Sequence, residues 1–426
     1  MLHSTFLPIR PHTYTYISFC RLLKPTTFFS RHLSSQRRKT RMIILSDTHG
    51  NDLKDITLPR ADVAIHCGDL TNDSRSVELE RTLKMLRAID APLKLIIPGN
   101  HDFGLEQGYW RRTWAYTRPA QHPQQRLDSS LSAQTAEAEE DADHKTSWEL
   151  LRCAAQRDGI FLLPQGTHSF VLNPYLARVG GDEARLRLFA SPLTPRKGNW
   201  GFQYDRSNPH RWAIPPATSN GDGDGDGDDA VDVVITHGPP MGIRDGTGTR
   251  QGSAGCAGLL AAVERARPRL HCFGHIHGAW GAEVVTWKRE IVDSCAAAFS
   301  GPSAPVYNNL VNAQQSRVIA GLSPANKSAS TEAGAGEYSL TPLSILTTTT
   351  QRHHYLPRKE GHCYAVDISS DGEHTVERGT QTLFVNAAVD ICSKDPRLPW
   401  LVDIDLPVAG KKDAAAAAET MYRLLL

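Results

Sequence analysis

Short apolar runs that stop abruptly at polar loops are the feature that most constrains what this chain can fold into. The runs occupy residues 42–45, 62–67, 94–97, 231–236 and 269–273, and the loops after them carry Asp47, His49, Asp69, Asn100, His237, His275 and His277. A short apolar run bounded by polar residues is typical of a buried strand, and the spacing of apolar residues over 77–89 and 258–266 predicts helices between strands. Alternating strands and helices indicate a layered α/β domain whose site lies where the strands end.

Composition divides the chain into a leader, one domain and a tail. Residues 1–41 contain basic residues and no acidic residue, which is typical of a targeting or disordered leader. We expect residues 42–410 to form one domain and residues 411–426 to form a C-terminal tail with helical potential. Polar segments at about 119–146, 218–230 and 302–360 are expected to be disordered insertions, because their composition buries too little apolar surface to offset the entropy of ordering.

Charge and cysteine content exclude several classes of protein. The 47 Lys and Arg residues nearly balance the 46 Asp and Glu residues, so a net charge of +1 gives no electrostatic signal for nucleic-acid binding. The eight cysteines are scattered without a C-x-x-C pair, which argues against a disulfide scaffold and favours a reducing compartment. No apolar run approaches the roughly 18 to 20 residues that cross a bilayer. We therefore expect a cytoplasmic protein with no membrane partner; the alternative is mitochondrial import through the leader.

The residue types at the strand ends suit divalent metal ions. Imidazole, carboxylate and amide oxygen are ligands for a cation of intermediate hardness. Asp47 and His49 are two residues apart and can hold one ion together, while Asp69 can place its carboxylate between two ions. The predicted ligands are Asp47, His49, Asp69 and His277 for one ion and Asp69, Asn100, His237 and His275 for the other. Two such ions activate water and neutralise phosphoryl charge, so hydrolysis of a phosphate ester is the expected reaction.

The predicted substrate contacts are Asn100, which is also a ligand, and His101, Trp200 and Arg244. His101 follows Asn100 but is not needed as a ligand, and we expect it to protonate the leaving oxygen or to stabilise transition-state charge. Asp102 is expected to orient a ligand from outside the centre. Trp200 is predicted to stack on a nucleobase, with core packing as the alternative. Arg244 is predicted to contact phosphate, with a surface ion pair as the alternative.

The same residues form the sequence blocks of a known family. The strings Asp47-Thr48-His49, Gly68-Asp69, Gly99-Asn100-His101-Asp102, Thr236-His237 and Gly274-His275-Ile276-His277 resemble, in order, the five blocks of the calcineurin-like metallophosphoesterase superfamily. Longer strings at residues 68–71, 200–202, 237–240 and 383–387 are similar to the small metallophosphoesterase-domain proteins related to class III cyclic nucleotide phosphodiesterases. The resemblance implies a four-layer α/β/β/α sandwich of two mixed β-sheets. It also implies two divalent metal ions, with Mn²⁺ expected and Fe or Zn as alternatives, and a metal-bridging hydroxide as nucleophile.

One departure from the family narrows the expected reaction. Phosphoprotein phosphatases of the calcineurin branch continue Gly-Asp with Asp-Arg-Gly, whereas here Leu70 and Thr71 lead to Asn72. The carboxylate that would pair with His101 is missing, which disfavours a phosphoprotein phosphatase. We expect a dinuclear-metal phosphodiesterase acting on small nucleotide-like phosphoesters, with phosphomonoesterase or nuclease activity as alternatives. A weakly active metal- or nucleotide-binding scaffold protein is the alternative of another class.

Overall fold

Strands and helices alternate through the computed structural model. It describes residues 37–53, 56–106, 131–172, 182–208, 210–217, 230–247, 253–288, 310–321, 359–391 and 396–425, with side chains of the second helix from residue 142 onward. The helices are α1 (Ser76–Arg87), α2 (Leu131–Asp158), α3 (Ala257–Ala266) and α4 (Lys411–Leu425). The strands are β1 (Arg37–Leu45), β2 (Val63–His66), β3 (Leu93–Ile96), β4 (Ile160–Leu162), β5 (Gly166–Leu172), β6 (Ala184–Ser191), β7 (Thr194–Pro195), β8 (Gln203–Tyr204), β9 (Val233–Thr236), β10 (Leu270–Phe273), β11 (Gly281–Thr286), β12 (Arg317–Gly321), β13 (Lys359–Glu360), β14 (Cys363–Asp367), β15 (Gln381–Asn386) and β16 (Trp400–Pro407).

Two seven-stranded sheets form the centre of the fold. The strand order is β13-β14-β16-β1-β2-β3-β4 in the first sheet and β12-β11-β15-β10-β9-β6-β5 in the second. Both sheets are mixed. In the first sheet β1 runs parallel to β2 and antiparallel to β16, and in the second β10 runs parallel to β9 while β11 runs antiparallel to β15. The predicted α/β class with two mixed sheets is therefore confirmed.

The side chains of β1 show how the layers are built, because successive residues of a strand point to opposite faces. Met42 and Ile44 lie in a core shared with strands of the second sheet, whereas Ile43 and Leu45 lie in a separate core with Leu83 of α1. A third core packs α3 on the outer face of the second sheet. Full burial of each such Leu or Ile side chain contributes roughly 1.5–3 kcal/mol. Helices on the outside of two packed sheets give the four-layer arrangement.

The first sheet begins upstream of the predicted boundary. Strand β1 starts at Arg37 rather than at residue 42, and Thr40 within it is fully buried. Arg41 donates to both carboxylate oxygens of Asp403, at 2.8 and 2.9 Å, and to Glu360 at 2.8 Å. The predicted leader of residues 1–41 is therefore too long, because acidic residues on neighbouring strands neutralise basic residues that composition alone assigns to the leader.

Two of the predicted insertions contain regular structure. From residue 131 the segment 119–146 belongs to α2, and the segment 302–360 contains β12, paired with β11, and β13, paired with β14. Leu310 and Val311 are buried in the core beneath α3. The prediction of disorder is wrong for these parts, because two short edge strands and an isolated apolar pair leave no periodic pattern in a polar sequence. The predictions for residues 119–130, 218–229, 302–309 and 322–358 lie outside the described residues.

The predicted tail is a helix that docks on the domain. Helix α4 packs against β5, and the backbone amide of Ser169 donates to Oγ1 of Thr420 at 3.2 Å. Met421 and Leu424 pack against the core between the two sheets. Among the described residues, no helix has both the length and the apolar character needed to cross a bilayer.

Candidate metal centre

Polar side chains from the loops after β1, β2, β3, β9 and β10 converge at one edge of the sandwich. The groups whose ligand atoms lie within 4.8 Å of one another are Asp47, His49 and His277; His49, Asp69 and His101; and Asp69, His237 and His275. Parallel strands end at the same edge of their sheet, and both sheets contribute to this site. The structure therefore brings together the side chains that the strand-end pattern singled out.

Asp69, in the loop after β2, lies at the centre of these groups. Its Oδ2 is 3.7 Å from Nε2 of His49, and its Oδ1 is 3.3 Å from Nε2 of His237. Oδ1 also accepts a hydrogen bond of 2.9 Å from the backbone amide of His101. The residue is only 2% exposed. One buried carboxylate thus faces a histidine of the first sheet on one side and a histidine of the second sheet on the other.

Two ligand groups share this carboxylate. With the sets predicted from the sequence, the first ligand group is Asp47, His49, Asp69 and His277, and the second ligand group is Asp69, Asn100, His237 and His275. The ligand atoms of Asp47, His49 and His277 lie within 4.8 Å of one another, and so do those of Asp69, His237 and His275. In the first, Nε2 of His277 lies 3.3 Å from Oδ1 of Asp47 and 3.3 Å from Nε2 of His49. In the second, Nε2 of His237 lies 3.0 Å from Oδ1 of Asn100. Nitrogen and oxygen atoms within each group therefore lie close to one another.

The ligand loops hold strained backbone conformations. The φ angles of Asp47, His49, Asp69 and His275 are 59°, 49°, 54° and 67°, in the left-handed region that residues with a side chain rarely adopt. Each such residue costs on the order of 1–3 kcal/mol and persists only where the surroundings enforce it. The backbone of Gly274 packs closely against the side chain of Asp47. A Cβ atom on Gly274 would lie 2.0 Å from Oδ2 of Asp47. Any side chain at this position would displace the carboxylate.

The centre attracts positive charge. Burial alone would raise the pKa of Asp47, but its hydrogen bond with His277 and the charge of His237 hold that pKa below its usual range. Burial alone would lower the pKa of His237, but the Asp69 carboxylate raises it to about 9. Burial, with the charge of His237 beside it, lowers the pKa of His275 to about 4. Two buried carboxylates among four imidazoles therefore stabilise a cation at this site.

The donor geometry fits divalent metal ions. Nδ1 of His237 donates to the carbonyl oxygen of Cys67 at 2.9 Å, since a carbonyl can only accept, and Nε2 is left facing Asp69. An outer hydrogen bond of this kind is usual for a histidine that binds a metal. At most one of the facing Nε2 atoms of His49 and His277 can donate a proton to the other, so at least one offers a lone pair. These donors, without a thiolate, suit a cation of intermediate hardness.

His101 is held by a backbone carbonyl and an aromatic ring. Its Nδ1 lies 2.7 Å from the carbonyl oxygen of Asn72 and must carry the proton between them, so Nε2 is the nitrogen left for chemistry. The Trp200 ring packs on His101 with centroids 4.2 Å apart, and His49 meets it edge-on at 4.7 Å. The backbone of Asn72 thus takes the place of the carboxylate that the sequence lacks there, and Trp200 contacts His101.

Asp102 fastens two ligand loops to each other. Its carboxylate is fully buried and accepts hydrogen bonds from the backbone amides of Gly99, Leu70 and Thr71 at 2.7, 3.0 and 2.8 Å. The Thr71 hydroxyl donates to it at 2.6 Å. Burial, followed by the charge of Asp69, raises the pKa of Asp102 to about 6. The loop after β2 and the loop after β3 are therefore fixed through one side chain.

The guanidinium group of Arg244 is engaged away from the ligand groups. Its Nε lies 3.1 Å from Oε2 of Glu283, and its Nη2 donates to the carbonyl of Ala282 at 3.3 Å, both on β11. Glu283 is 6% exposed, so its charge needs a partner. Arg244 therefore forms the ion pair that was the alternative, with Glu283 as a partner on a distant strand, and the predicted phosphate contact stays a prediction.

Two residues hold the loop of His277 without having a predicted role. Nδ2 of Asn386 donates to the carbonyl of Ile276 at 3.0 Å, and Arg397 donates to the carbonyl of His277. The position of Asn386 at the end of the apolar run over 382–385 was a usable signal, because it matches the pattern of the other loops. Arg397 has no comparable signal in the sequence.

Comparisons with known proteins agree with this geometry. A family model of the calcineurin-like phosphoesterase matches residues 40–279. A probable rhamnogalacturonate lyase C of Emericella nidulans is 29% identical over 293 residues, which are 66% of this chain and 21% of that protein. Metallophosphoesterase domain-containing protein 1 of Homo sapiens is 29% identical over 245 residues, 57% of this chain and 62% of that protein. A UPF0046 protein of Caenorhabditis elegans is 27% identical over 245 residues, 57% of this chain and 64% of that protein.

The match to the family model extends over the five ligand loops. The chain spans about a fifth of the Emericella protein and less than two thirds of the human and nematode proteins. The resemblance to the small metallophosphoesterases is confirmed by these relatives. Because the family model covers 240 of the 426 residues, from 40 to 279, the chain belongs to the calcineurin-like phosphoesterase family.

Proposed function

We propose that the protein is a dinuclear metal phosphoesterase that hydrolyses phosphodiesters of small, nucleotide-like molecules. The position of Asp69 carries this proposal, with Oδ1 3.3 Å from Nε2 of His237 and Oδ2 3.7 Å from Nε2 of His49. A carboxylate shared between two ligand groups would let one residue hold both ions of a two-metal site. Mn²⁺ is the proposed metal, and Fe or Zn would suit the same donors.

The metal ions and the side chains of the protein have different proposed roles. When bound, the two ions would supply the positive charge that acidifies water and neutralises the phosphoryl oxygens. The chain holds the ligands in one geometry, and the burial of Asp47 and Asp69, at 3% and 2% exposure, strengthens their attraction for cations. The loops are fixed beforehand, so little reorganisation accompanies the reaction.

His101 is proposed to deliver the proton to the leaving oxygen. The Asn72 carbonyl holds Nδ1–H in both the neutral and the charged imidazole, so Nε2 is the atom that takes up and releases the proton. The Trp200 ring restricts rotation of the imidazole. These two contacts orient the acid without a partner carboxylate.

The substrate class rests on resemblance and on the surroundings of His101. The strings at residues 68–71 and 237–240 are similar to those of proteins related to cyclic nucleotide phosphodiesterases. Trp200 is half-buried, and its ring lies beside His101. Stacking of a base on an aromatic ring contributes roughly 1–3 kcal/mol, which makes a nucleotide-like leaving group a reasonable substrate part.

The bridging position of Asp69 can be tested by counting ions. We expect about two Mn²⁺ per wild-type chain, about one in His49→Ala, which loses a ligand of the first group only, and fewer in Asp69→Asn, which weakens both groups. Metal analysis after gel filtration measures this. Asp69→Asn chains that keep two ions and near-normal turnover would show that Asp69 does not bridge.

The reaction can be tested with a substrate panel in Mn²⁺. Cyclic nucleotides and bis(p-nitrophenyl) phosphate should be hydrolysed faster than nucleoside monophosphates, phosphopeptides or single-stranded DNA. Preference for monophosphates or DNA would replace the diesterase proposal by phosphomonoesterase or nuclease activity. Two bound ions with no hydrolysis of any substrate would favour the scaffold function.

A further inference from the structure

Two histidines outside both ligand groups repeat the same contact in the two sheets. His66 is the last residue of β2 and His271 lies within β10, and both are fully buried. Nε2 of His66 lies 2.9 Å from Oγ1 of Thr48, and Nε2 of His271 lies 2.8 Å from Oγ1 of Thr236. In each case the threonine is on the neighbouring parallel strand or the loop that follows it. The two buried histidines therefore make the same contact with a threonine in the two sheets.

The threonines stand directly beside ligand residues. Thr48 is flanked by Asp47 and His49, and Thr236 immediately precedes His237. Each histidine also lies shortly before a ligand in the loop that follows its own strand. This ligand is Asp69 after β2 and His275 after β10. Each histidine–threonine pair therefore adds a side-chain contact between neighbouring segments whose following loops carry ligands.

In the first sheet, the other hydrogen bond of the His66 ring determines which atom donates in the contact between His66 and Thr48. The backbone amide of Gly68 donates to Nδ1 of His66 at 3.3 Å, so Nδ1 is an acceptor. A neutral imidazole then carries its proton on Nε2 and donates to the Thr48 hydroxyl. His66 thereby contacts the loop of Asp47 and His49 through Thr48 and the loop of Asp69 through Gly68.

The same direction follows independently in the second sheet. The Thr236 hydroxyl donates its only proton to the carbonyl of Gly238 at 2.7 Å. It can therefore only accept from His271, whose Nε2 must carry a proton. The resulting chain of hydrogen bonds runs from His271 through Thr236 to the backbone just after His237.

We propose that His66 and His271 are positioning residues, each of which holds one ligand group in its metal-binding geometry by donating to a threonine beside the ligands. The inference rests on the proposed function, since it assigns the pairs to the two ions. Thr48 lies between Asp47 and His49, whose φ angles of 59° and 49° need external support. The His66 contact supplies such support for the first ligand group, and the His271 contact fixes His237 in the second.

The test replaces each histidine in a background that has one intact ligand group. His275→Ala leaves the first group intact and His277→Ala leaves the second. Mn²⁺ affinity is measured by electron paramagnetic resonance of the free ion. In the His275→Ala background, His66→Leu should raise the Mn²⁺ Kd by about 10-fold or more, as loss of outer partners commonly does, and His271→Leu should change it less than about twofold. In the His277→Ala background His271→Leu should have the larger effect and His66→Leu the smaller one, because His66 reaches the second group only through Gly68, beside Asp69.

Matched variants separate positioning from general loosening. His66→Gln and His271→Gln keep a donor near the position of Nε2 and should recover part of the affinity. Thr48→Val removes the acceptor of the His66 contact, and Thr236→Val removes the acceptor of the His271 contact together with the donor to Gly238. Both should reproduce the loss, with little further loss when combined with the leucine variant of the partner. The valine variants also replace the leucine variants if the latter do not fold, as judged by thermal unfolding in EDTA.

The outcomes distinguish this inference from the proposed function. A wild-type chain that does not bind two Mn²⁺ would reject the proposed function itself. A wild-type chain that binds two, with leucine and valine variants that bind equally well, would overturn only the positioning role. Equal weakening of both groups by either histidine variant would also overturn it, because the effect would then be a loss of general stability.

Discussion

The imidazole of His101 is fixed on three sides, by the Asn72 carbonyl at Nδ1, by the Trp200 ring on its face and by His49 at its edge. Its backbone amide is fixed as well, through the hydrogen bond to Asp69. A side chain held in this way delivers a proton along one direction, which is the condition for efficient acid catalysis. The contacts with Asn72 and Trp200 are therefore part of the proposed chemistry.

The acid role of His101 predicts a dependence on the leaving group. His101→Ala should keep both ions, yet lose roughly 10²–10⁴ in kcat on a nucleotide diester and much less on a nitrophenyl ester, whose leaving group hardly needs a proton. Trp200→Leu, which disturbs the orientation of His101 and removes the proposed stacking surface, should give a smaller loss in kcat with the same substrate preference. Equal losses on both esters would instead favour a role in stabilising phosphoryl charge, and loss of metal would place His101 among the ligands.

Buried neutral histidines make the fold sensitive to acid. Burial lowers the pKa of His271 to about 3, whereas the unfolded chain titrates near 6.5. The stabilising effect of keeping this group neutral is present above about pH 6.5 and is lost as the pH falls from there towards 3, by up to about 1.4 kcal/mol per pH unit. His271→Gln should therefore flatten the decline of unfolding free energy between pH 6.5 and 4.5, measured with urea in EDTA. An unchanged slope would contradict this, with the exposed His362→Gln as control.

At the level of residues, the sequence predicts a site residue when that residue directly follows a strand. Asp69 and His237 are recognisable because an apolar run ends just before each of them, and they do meet in the structure. The Asn72 carbonyl and the pairing of Arg244 with Glu283 are not recognisable. Every residue type has the same backbone carbonyl, so the sequence does not mark the carbonyl that contacts His101. An ion pair between distant strands depends on how those strands align, which local sequence does not determine.

Helix α2 supports the centre from a segment whose composition predicted a loop. The Asp143 carboxylate accepts hydrogen bonds of 3.2 and 3.1 Å from the backbone amide of Ser76, at the start of α1. Nδ1 of His144 lies 2.5 Å from the carbonyl of Gly104, in the turn that follows Asp102. Two adjacent residues of α2 thus contact the start of a helix and the loop next to His101.

Removal of the Asp143 contact should be measurable as a loss of stability. Asp143→Ala leaves an amide at the start of α1 without its acceptor, and loss of such a cap costs about 1 kcal/mol. The thermal midpoint should fall by a few degrees, whereas Glu149→Ala, at an exposed position of the same helix, should leave it unchanged. Deletion of residues 121–143 should lower the midpoint at least as much as Asp143→Ala. Equal midpoints for all variants would restore the loop interpretation.

At the level of elements, prediction succeeds where apolar periodicity is strong. The patterns over 77–89 and 258–266 correspond to α1 and α3, each of which buries a stripe of side chains. It fails for α2 and β12. The upstream part of α2 is rich in alanine and acidic residues, and β12 lies at a sheet edge with Val318 exposed. Elements that bury little apolar surface depend on partners that are remote in sequence.

The whole molecule places its centre where two sheets meet. The first sheet supplies Asp47, His49, Asp69 and Asn100, and the second supplies His237, His275 and His277. Neither sheet carries a complete ligand group by itself, since Asp47 approaches His277 and Asp69 approaches His237 across the boundary. Bound ions would therefore link the two sheets and favour the folded state over the unfolded chain.

Metal loading should consequently raise the stability of the whole domain. A ligand that binds only the folded state at 100 times its Kd stabilises it by about 2.7 kcal/mol, so Mn²⁺ should raise the thermal midpoint by several degrees and EDTA should reverse the shift. Asp69→Asn should abolish most of the shift, whereas Asp73→Asn, at an exposed position in the same loop, should keep it. The absence of any Mn²⁺-dependent shift in the wild-type chain would argue against a centre that joins the sheets.

The position of β1 between β2 and β16 has a consequence for biosynthesis. Asp47 and His275, which touch through the backbone amide of His275, are separated by 228 residues, and β1 gains its antiparallel neighbour only when β16 has been made. A nascent chain on the ribosome therefore exposes its first acidic loops long before the histidines that balance their charge are translated. The complete set of predicted ligands is present only after His277 has been translated, and β1 has both neighbours only after β16, so a chain terminated before residue 277 would lack ligands of both groups.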